Sequence, residues 1–251
     1  MSEIELRNCD VVFGSNSGAK QQILSSFSLD ISRGEFVVLV GPSGCGKTTV
    51  LNVMAGLVRL SAGTVTVSGS KPDPSRGSIG YMFQEYGLFP WRTVSQNISF
   101  GLEIKHQSWS ERRDRVEQFL AMMRLTKHAD HYPHQISGGM RQRVALARTL
   151  IVNPSVLLMD EPFGALDPQT REELQDELHR IHSETNKTVV FVTHSIDEAI
   201  YLGDRVVVLK DSPMRIVQII ERDRKEIDAD FRISDRFFQA CKTLRAALSH
   251  G

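Results

Sequence analysis

Several features that would assign this sequence to a secreted, membrane-spanning or nucleic-acid-binding class are missing. Its three cysteines are odd in number and widely spaced, so they form no disulfide framework and suit a reducing compartment. No apolar run approaches the roughly 20 residues of a membrane span, and the opening MSEIELRNCD does not resemble a secretion signal. Lys+Arg and Asp+Glu both number 30, so the chain has no overall basic field for nucleic acid or an anionic membrane.

The composition that is present is that of an ordinary globular α/β chain. Apolar residues make up 41% of the 251 residues and charged residues 24%, which is enough for a well-buried core. The run FVVLV (36–40) between two glycines indicates a strand buried on both faces of a parallel sheet. Around it the pattern predicts strands at 4–13 and 23–31 separated by a turn in GSNSGAKQ, a helix at about 46–57, and strands in GTVTVSG and SIGYMFQ (78–84).

Apolar residues at helical spacing dominate the middle of the chain, and strand-like apolar runs follow them. One predicted helix face contains Val116, Phe119, Leu120 and Met123, and another contains Met140, Val144, Ala147 and Ile151. Strands are predicted at 156–162, at 188–194, and in RVVVLK and RIVQII. Helices are predicted from Pro168, with Leu174, Leu178 and Ile181 on one face, and at 234–249, with Phe237, Cys241, Leu244 and Leu248 on one face. The chain therefore reads as an α/β core interrupted by a helical insert at about 85–155.

The segment GPSGCGKTT (41–49) has the form G-x-x-x-x-G-K-[ST] and lies between a buried strand and a helix, the context that a phosphate-binding loop requires. Its glycines let backbone N–H groups surround the β-phosphate. Lys47 supplies a positive charge for the β- and γ-phosphate oxygens, and the Thr48 hydroxyl is a ligand for Mg²⁺. Cys45 occupies a free position of the loop, where a small tolerated side chain explains it better than a redox role.

The strand VLLMD ends in an acidic pair, Asp160 and Glu161. In an open α/β sheet, residues at the carboxyl ends of strands lie at the ligand-binding edge. Asp160 is expected to hold Mg²⁺ directly or through water, and Glu161 to orient or deprotonate an attacking water.

A second segment with anion-binding character is HQISGGMRQR (134–143). Its Ser-Gly-Gly opens a predicted helix whose bare N-terminal amides favour phosphate. It has no lysine in the phosphate-cradle position, and no strand leads into it. The residues alone leave open whose phosphate this segment would bind.

In order along the chain, these segments resemble the ATPase subunit of an ATP-binding cassette (ABC) transporter over about residues 4–220. Gln84 matches the Q-loop glutamine, ISGGMRQR the signature sequence, GALD (164–167) the D-loop, and VTHS (192–195) the switch-histidine segment with His194. The signature departs from the commonest form at Ile136 and Met140. ISGGMRQR and LFPWRTVSQNI together are similar to importers for nitrate, sulfonates, taurine and related small anions.

The resemblance implies a P-loop NTPase core of ABC type with an antiparallel β subdomain and an inserted helical subdomain. The ATPase domain would span 1–225, with its core at about 1–84 and 156–225, the helical subdomain at about 85–155, and a short helical tail at 226–251. Lys47, Glu161 and His194 would be catalytic, with ATP and Mg²⁺ as cofactors. The metal contacts would be Thr48, Gln84 and Asp160, and the nucleotide contacts Phe13, Gly41, Pro42, Ser43, Gly44, Cys45, Gly46, Lys47, Thr48, Thr49, Gln84, Ser137, Gly138, Gly139 and Asp167.

The resemblance also implies partners. Two ATPase domains meet head to tail in this family, so Ser137, Gly138 and Gly139 would reach the γ-phosphate of ATP on a second subunit. One phosphate loop and one signature occur here, and a homodimer is the simplest arrangement. Integral membrane permease subunits and an extracytoplasmic substrate-binding protein would complete the transporter, with this chain peripheral on the cytoplasmic face of the membrane and no nucleic acid involved.

Other interpretations of these residues have different consequences. The chain could be an ABC-type ATPase acting on DNA or ribosomes, a binding module that uses ATP structurally, or an exporter ATPase. Asp167-Pro168 is also an ordinary helix start. The three-residue spacing of His128, His131 and His134 resembles metal ligands, but Pro133 interrupts the helix and no cysteine or acid cluster accompanies them, which argues against a metal site. Phe89 and Trp91 are expected both to pack against the helices of the insert and to form part of a groove for a short helix of a membrane subunit.

Overall fold

The computed structural model describes residues 2–14, 20–164, 166–222 and 230–250. The strands are β1 (Ser2–Gly14), β2 (Lys20–Ser32), β3 (Phe36–Val40), β4 (Ala62–Val67), β5 (Ile79–Met82), β6 (Val156–Asp160), β7 (Thr188–Thr193), β8 (Arg205–Lys210) and β9 (Arg215–Glu221). The helices are α1 (Lys47–Met54), α2 (Val94–Ile104), α3 (Trp109–Met122), α4 (Gly138–Leu150), α5 (Pro168–Thr185), α6 (Ile196–Leu202) and α7 (Asp235–His250).

The chain forms two compact units. The first contains residues 1–76 and 181–251, and the second contains residues 77–180. The boundary on the C-terminal side falls inside α5. The predicted extent of the helical subdomain, about 85–155, stays a prediction.

An antiparallel sheet in the order β2-β1-β4 lies in the first unit. Leu6 pairs with Leu29 across β1 and β2 and with Val65 across β1 and β4. Apolar side chains alternate with polar ones along β2, so that Phe27, Leu29 and Ile31 are buried. The two predicted strands are thus confirmed as partners, while most of the predicted turn lies outside the described residues.

The second sheet region of the first unit has the order β7-β3-β8-β9. β3 is parallel to both β7 and β8, and β9 pairs with β8 in the antiparallel direction. Every residue of β3 and β7 is buried. The continuous apolar runs are explained by this position, because each strand of the pair has both of its faces covered.

Helices α6 and α7 pack against each other in the first unit. The Ser234 hydroxyl accepts a hydrogen bond from the amide of Phe237 at 3.2 Å and so caps α7. Of the predicted apolar stripe, Phe237, Cys241 and Leu244 are buried, while Leu248 near the end of the helix is only half-buried.

The second unit joins a parallel strand pair to a set of helices. β5 and β6 pair in register, and α2 packs on both α3 and α4. Thr93 caps α2 through a reciprocal capping box with Gln96. The two predicted helix faces are buried at Val116, Leu120, Met123, Val144, Ala147 and Ile151, while Phe119 and Met140 are only half-buried.

Candidate nucleotide-binding site

Backbone geometry that demands glycine shapes the loop from β3 to α1. Gly44 and Gly46 have φ angles of +80° and +110°, values that side-chain-bearing residues rarely adopt. At Gly41 a Cβ atom would lie 2.3 Å from the carbonyl oxygen of Leu209. The loop therefore turns tightly. A Cβ atom on Gly44 would meet no atom of the described residues within 4 Å, so the backbone there stays open to a ligand, as a phosphate cradle requires.

Lys47 lies at the first position of α1, and its side chain folds back across the loop. Its Nζ atom donates to the carbonyl oxygens of Gly41 and Pro42, each at 2.9 Å. An ammonium group has three donors, so one remains for a ligand. No ion pair of Lys47 with an acid occurs among the described residues, which leaves its charge available to phosphate oxygens.

The N-terminus of α1 has no competing anion of its own. Gly46 supplies no side-chain cap, and the first turn contains no acidic residue. The first amides of a helix have no partner within it, and the helix dipole favours an anion at this end. Thr48 is exposed there and Thr49 half-buried. Cys45 is buried, and burial raises the pKa of its thiol while the charge of Lys47 opposes the rise.

His194 lies at the same strand edge of the first unit as the loop. β7 is parallel to β3 with Thr193 opposite Val40, so His194 and Gly41 each follow the paired residues directly. The His194 side chain is exposed. Immediately after it α6 begins, where Ser195 accepts a hydrogen bond from the amide of Glu198 at 3.3 Å. This cap fixes the point at which the chain turns away from the strand.

Phe13 is the other candidate in the first unit. It lies near the end of β1, paired with Gln21 of β2, and 45% of its surface is exposed. An exposed ring on a strand offers a flat apolar face, which suits stacking on an adenine base.

In the second unit, the acidic pair and Gln84 lie at one strand edge. Met82 of β5 pairs with Met159 of β6, so Gln84 and Glu161 are each two residues beyond this pair. Asp160 is buried at the end of β6. Burial, together with the negative charge of Asp160, raises the pKa of the Tyr81 hydroxyl. Glu161 has a φ angle of +44°, a turn conformation uncommon for a glutamate.

The signature segment lies against the first turn of α5, which Asp167 caps, in the second unit. Ser137 caps α4 by accepting from the amide of Met140 at 3.3 Å. A Cβ atom on Gly139 would lie 2.5 Å from Cγ2 of Thr170, whereas one on Gly138 would have no atom closer than 3.8 Å. The Thr170 amide in turn donates to Asp167 at 3.0 Å, which lowers the pKa of the Asp167 carboxyl. Asp167 thus caps α5 in the ordinary way and stays exposed.

Two arginines of α4 hold the backbone beside Gln84 and beside Ser137, a role that the sequence analysis missed. Arg148 donates to the carbonyl oxygens of Tyr86 and Gly87 at 2.6 and 2.7 Å, just after Gln84. Arg141 donates to the Ile136 carbonyl oxygen at 2.9 Å, just before Ser137. Their helical spacing in ISGGMRQRVALAR is a visible signal, although it does not identify carbonyl partners far away in the chain.

The candidate metal ligands suit a hard cation. Thr48, Gln84 and Asp160 offer a hydroxyl, an amide and a carboxylate oxygen, and Mg²⁺ prefers oxygen ligands completed by phosphate and water. Within the described part of the chain, no group of three His, Cys, Asp or Glu residues could hold a metal ion by itself. The described helices also include none that is long and apolar enough to cross a membrane.

A glycine-shaped loop between a buried parallel strand and a helix, ending in a lysine that forms no ion pair within the described residues, defines the class of P-loop nucleotide-binding proteins. The family model for ABC transporters matches residues 24–164. The chain belongs to the ABC transporter family as an ATP-binding, ATP-hydrolysing subunit, with the P-loop fold of that family.

Similar proteins come from several organisms. The chain is 46% identical to an uncharacterized ABC transporter ATP-binding protein of Methanocaldococcus jannaschii, MJ0412, covering 90% of this chain and 86% of that one. It is 47% identical to the nitrate import ATP-binding protein NrtC of Synechococcus elongatus, covering 84% of this chain and 33% of NrtC. It is 44% identical to the aliphatic sulfonates import ATP-binding protein SsuB of Bacillus thuringiensis, covering 80% and 79%.

Among solved structures, the chain resembles the dimeric post-hydrolysis state of the ATP-binding cassette MJ0796 bound to ADP and Pi. The TM-score is 0.77 at 35% identity, covering 88% of this chain and 99% of that one.

Proposed function

We propose that this chain is the ATP-hydrolysing subunit of an importer for small anions of the nitrate and sulfonate type. The observation that carries this proposal is its 44–47% identity to ATP-binding proteins named for nitrate and sulfonate import, over 80% or more of the chain. The subunit would be peripheral on the cytoplasmic face of the membrane, bound to separate permease subunits and served by an extracytoplasmic binding protein.

Nucleotide binding is assigned first to the phosphate loop. The amides from Gly41 to Thr49 and the ammonium of Lys47 would hold the phosphates, and Phe13 would stack on the adenine. Thr48, Asp160 and Gln84 would hold Mg²⁺, which supplies charge neutralisation at the phosphates when bound. The absence of an acidic residue in the first turn of α1 supports this assignment.

Hydrolysis is assigned to residues that follow strand ends. Glu161 would accept a proton from the attacking water, a role worth about 10²–10⁴ in rate. His194 would stabilise charge that develops on the γ-phosphate. The position of His194 directly after the strand that pairs with β3 supports this role.

The signature segment is assigned to the ATP of a second, identical subunit. Gly138 supports this. A Cβ atom there would have no described atom closer than 3.8 Å, so internal packing does not require glycine at this position. The backbone at Gly138 therefore stays open to an external phosphate. Ser137 and Gly139 would bind beside it, and Asp167 would face the partner subunit.

An exposed aromatic cluster after Gln84 is assigned to the permease. Trp91 is 71% exposed, and Phe89 contacts both Trp91 and Phe100, with ring centroids 5.7 and 4.6 Å apart. Asn97, which is completely buried, donates to the carbonyl oxygen of Phe89 at 3.1 Å and accepts from its amide at 2.9 Å. A large ring held outward by a rigid backbone is typical of an interaction site.

Substitution Glu161→Gln tests the catalytic assignment. The variant should bind ATP with unchanged affinity, lose at least about a hundredfold in turnover, and accumulate an ATP-bound dimer. Phosphate release and size-exclusion chromatography measure the two effects. Turnover at the wild-type rate would contradict the role of Glu161.

Isolation from native membranes tests the transporter assignment. The tagged chain, purified in mild detergent, should co-purify with a multi-spanning protein in stoichiometric amount. Deletion of the gene for the ATPase chain should abolish uptake of labelled nitrate or sulfonate. Recovery with nucleic acid or ribosomes alone would favour the non-membrane ATPase instead. Loss of efflux rather than uptake would identify an exporter.

A further inference from the structure

The first unit contains a cavity of about 670 Å³ at the C-terminal end of α1, the opposite end of that helix from the phosphate loop. Val53, Val58, Leu60, Val65 and Pro72 provide apolar walls. Its volume is that of a typical small-molecule site. Nucleotide binding, as assigned above, uses none of these residues.

Two cations at this cavity lack partners. Arg59 and Lys71 line it and are exposed, and neither has an ion pair or hydrogen bond within the described ranges. Among the described residues, no acidic one lines the cavity. Its walls therefore combine apolar surface with uncompensated positive charge.

A second cavity, in the other unit, differs from the first in the charges of its lining residues. That cavity, of about 290 Å³, is lined by three arginines and three acids. Arg143 and Glu173 in it form an ion pair at 3.3 Å. Its charges balance one another, so it has no preference for the sign of a ligand.

From these features we infer that the cavity between α1 and β4 binds an aliphatic organic anion. The hydrocarbon part would lie on Val58, Leu60 and Val65, which are only half-buried, so that binding removes their remaining apolar surface from water. The anionic group would be held by Arg59 and Lys71 through charge-assisted hydrogen bonds. The lining residues that the structure describes include no aromatic side chain, so a ligand that binds by ring stacking, such as a nucleotide base, fits the cavity less well.

The test is methyl NMR of the full chain with labelled valine and leucine, titrated with decanoate below its micelle concentration. Saturable shifts are expected at the methyl groups of Val53, Val58, Leu60 and Val65. Decanol should bind more weakly than decanoate, and decyltrimethylammonium should cause no saturable shift at these methyls. Shifts confined to other methyls, or equal binding of the cationic probe, would overturn the inference.

The double substitution Arg59→Gln with Lys71→Gln gives the matched test of charge. Both side chains are exposed, so the fold should persist, and decanoate affinity should fall about tenfold or more. The control removes the same charges elsewhere, at Arg33 and Lys127, which are exposed and do not line the cavity. Equal affinity in the two double variants would overturn the inference. ATP binding is measured separately, so failure here leaves the proposed function untouched.

Discussion

At the scale of single residues, Lys47 combines a structural and a proposed functional role. Its ammonium group bridges the Gly41 and Pro42 carbonyl oxygens, which holds the loop in the shape of a cradle. Because only two of its three donors are used there, the same charge can serve a phosphate. Removing the side chain should therefore affect ligand binding more than folding.

For Lys47→Ala we expect ATP affinity to fall by about 10- to 100-fold, since hydrogen bonds to charged groups contribute about 1.5–3 kcal/mol. Calorimetric titration with ATP measures this loss, and thermal denaturation shows whether the fold persists. Lys127→Ala, at an exposed lysine of the second unit, is the control and should bind normally. Unchanged affinity in Lys47→Ala would refute the phosphate assignment.

Sequence predicts residues well where backbone geometry leaves few choices. The glycines at 44 and 46 follow from the phosphate-loop pattern, and the structure places both at positive φ. It predicts poorly where a side chain acts over a long separation, as Arg148 does on Tyr86 and Gly87. The positive φ angle of Glu161 could not be predicted from the sequence either, because glutamate has no intrinsic preference for that conformation.

At the scale of elements, the contact between α4 and α5 depends on a missing side chain. A Cβ atom on Gly139 would collide with Thr170 in the first turn of α5. Gly139→Ala should therefore lower the free energy of unfolding by about 1–3 kcal/mol, as overpacking does. Urea denaturation monitored by circular dichroism measures this loss.

Two further variants separate collision from helix propensity. Gly138→Ala introduces a methyl group into open space one residue earlier, so its stability should be unchanged or slightly higher. Thr170→Ser removes the Cγ2 atom that the new methyl would strike and should restore most of the stability of Gly139→Ala. A Gly139→Ala protein as stable as wild type would show that the two helices adjust freely.

The α6–α7 contact gives the fold a dependence on alkaline pH. The Cys241 thiol is 3.5 Å from Asp197, and burial together with that carboxylate raises the thiol pKa to about 12 from a usual value of 9.0. Its contribution to stability is complete below the unfolded pKa and is lost as pH rises from 9.0 towards about 12. Cys241→Ala should lose less stability than wild type between these pH values.

Denaturation with urea at several alkaline pH values tests this expectation. Asp197→Asn keeps the thiol but removes the carboxylate, so its alkaline loss should lie between those of wild type and Cys241→Ala. Identical pH profiles for all three proteins would show that Cys241 titrates alike in the folded and unfolded chains.

Element prediction succeeded where burial is uniform or strictly periodic. The runs that became β3, β6 and β7 are apolar at nearly every position, and the stripe of α7 repeats at helical spacing. The short helix α6 was missed, because seven residues give too few turns for a period to stand out. Its start at Ser195 depends on a cap and on packing against α7.

At the scale of the whole molecule, each chain has one phosphate loop and one signature segment. If the signature acts on a partner's ATP, a functional site joins residues of two subunits. Two differently damaged subunits should then complement each other. One carries Lys47→Ala, and the other carries Gly138→Asp, whose carboxylate would repel phosphate at the start of α4 without a close internal contact.

Complementation separates the two arrangements of the site. In a mixed dimer, the intact loop of the second subunit would meet the intact signature of the first, so one site in that dimer is whole. Random mixing makes about half of the dimers mixed, so ATPase activity should recover to at most about a quarter of the wild-type value. If the signature instead acted on its own subunit's ATP, every site would contain a defect, and the mixture would be as inactive as its components.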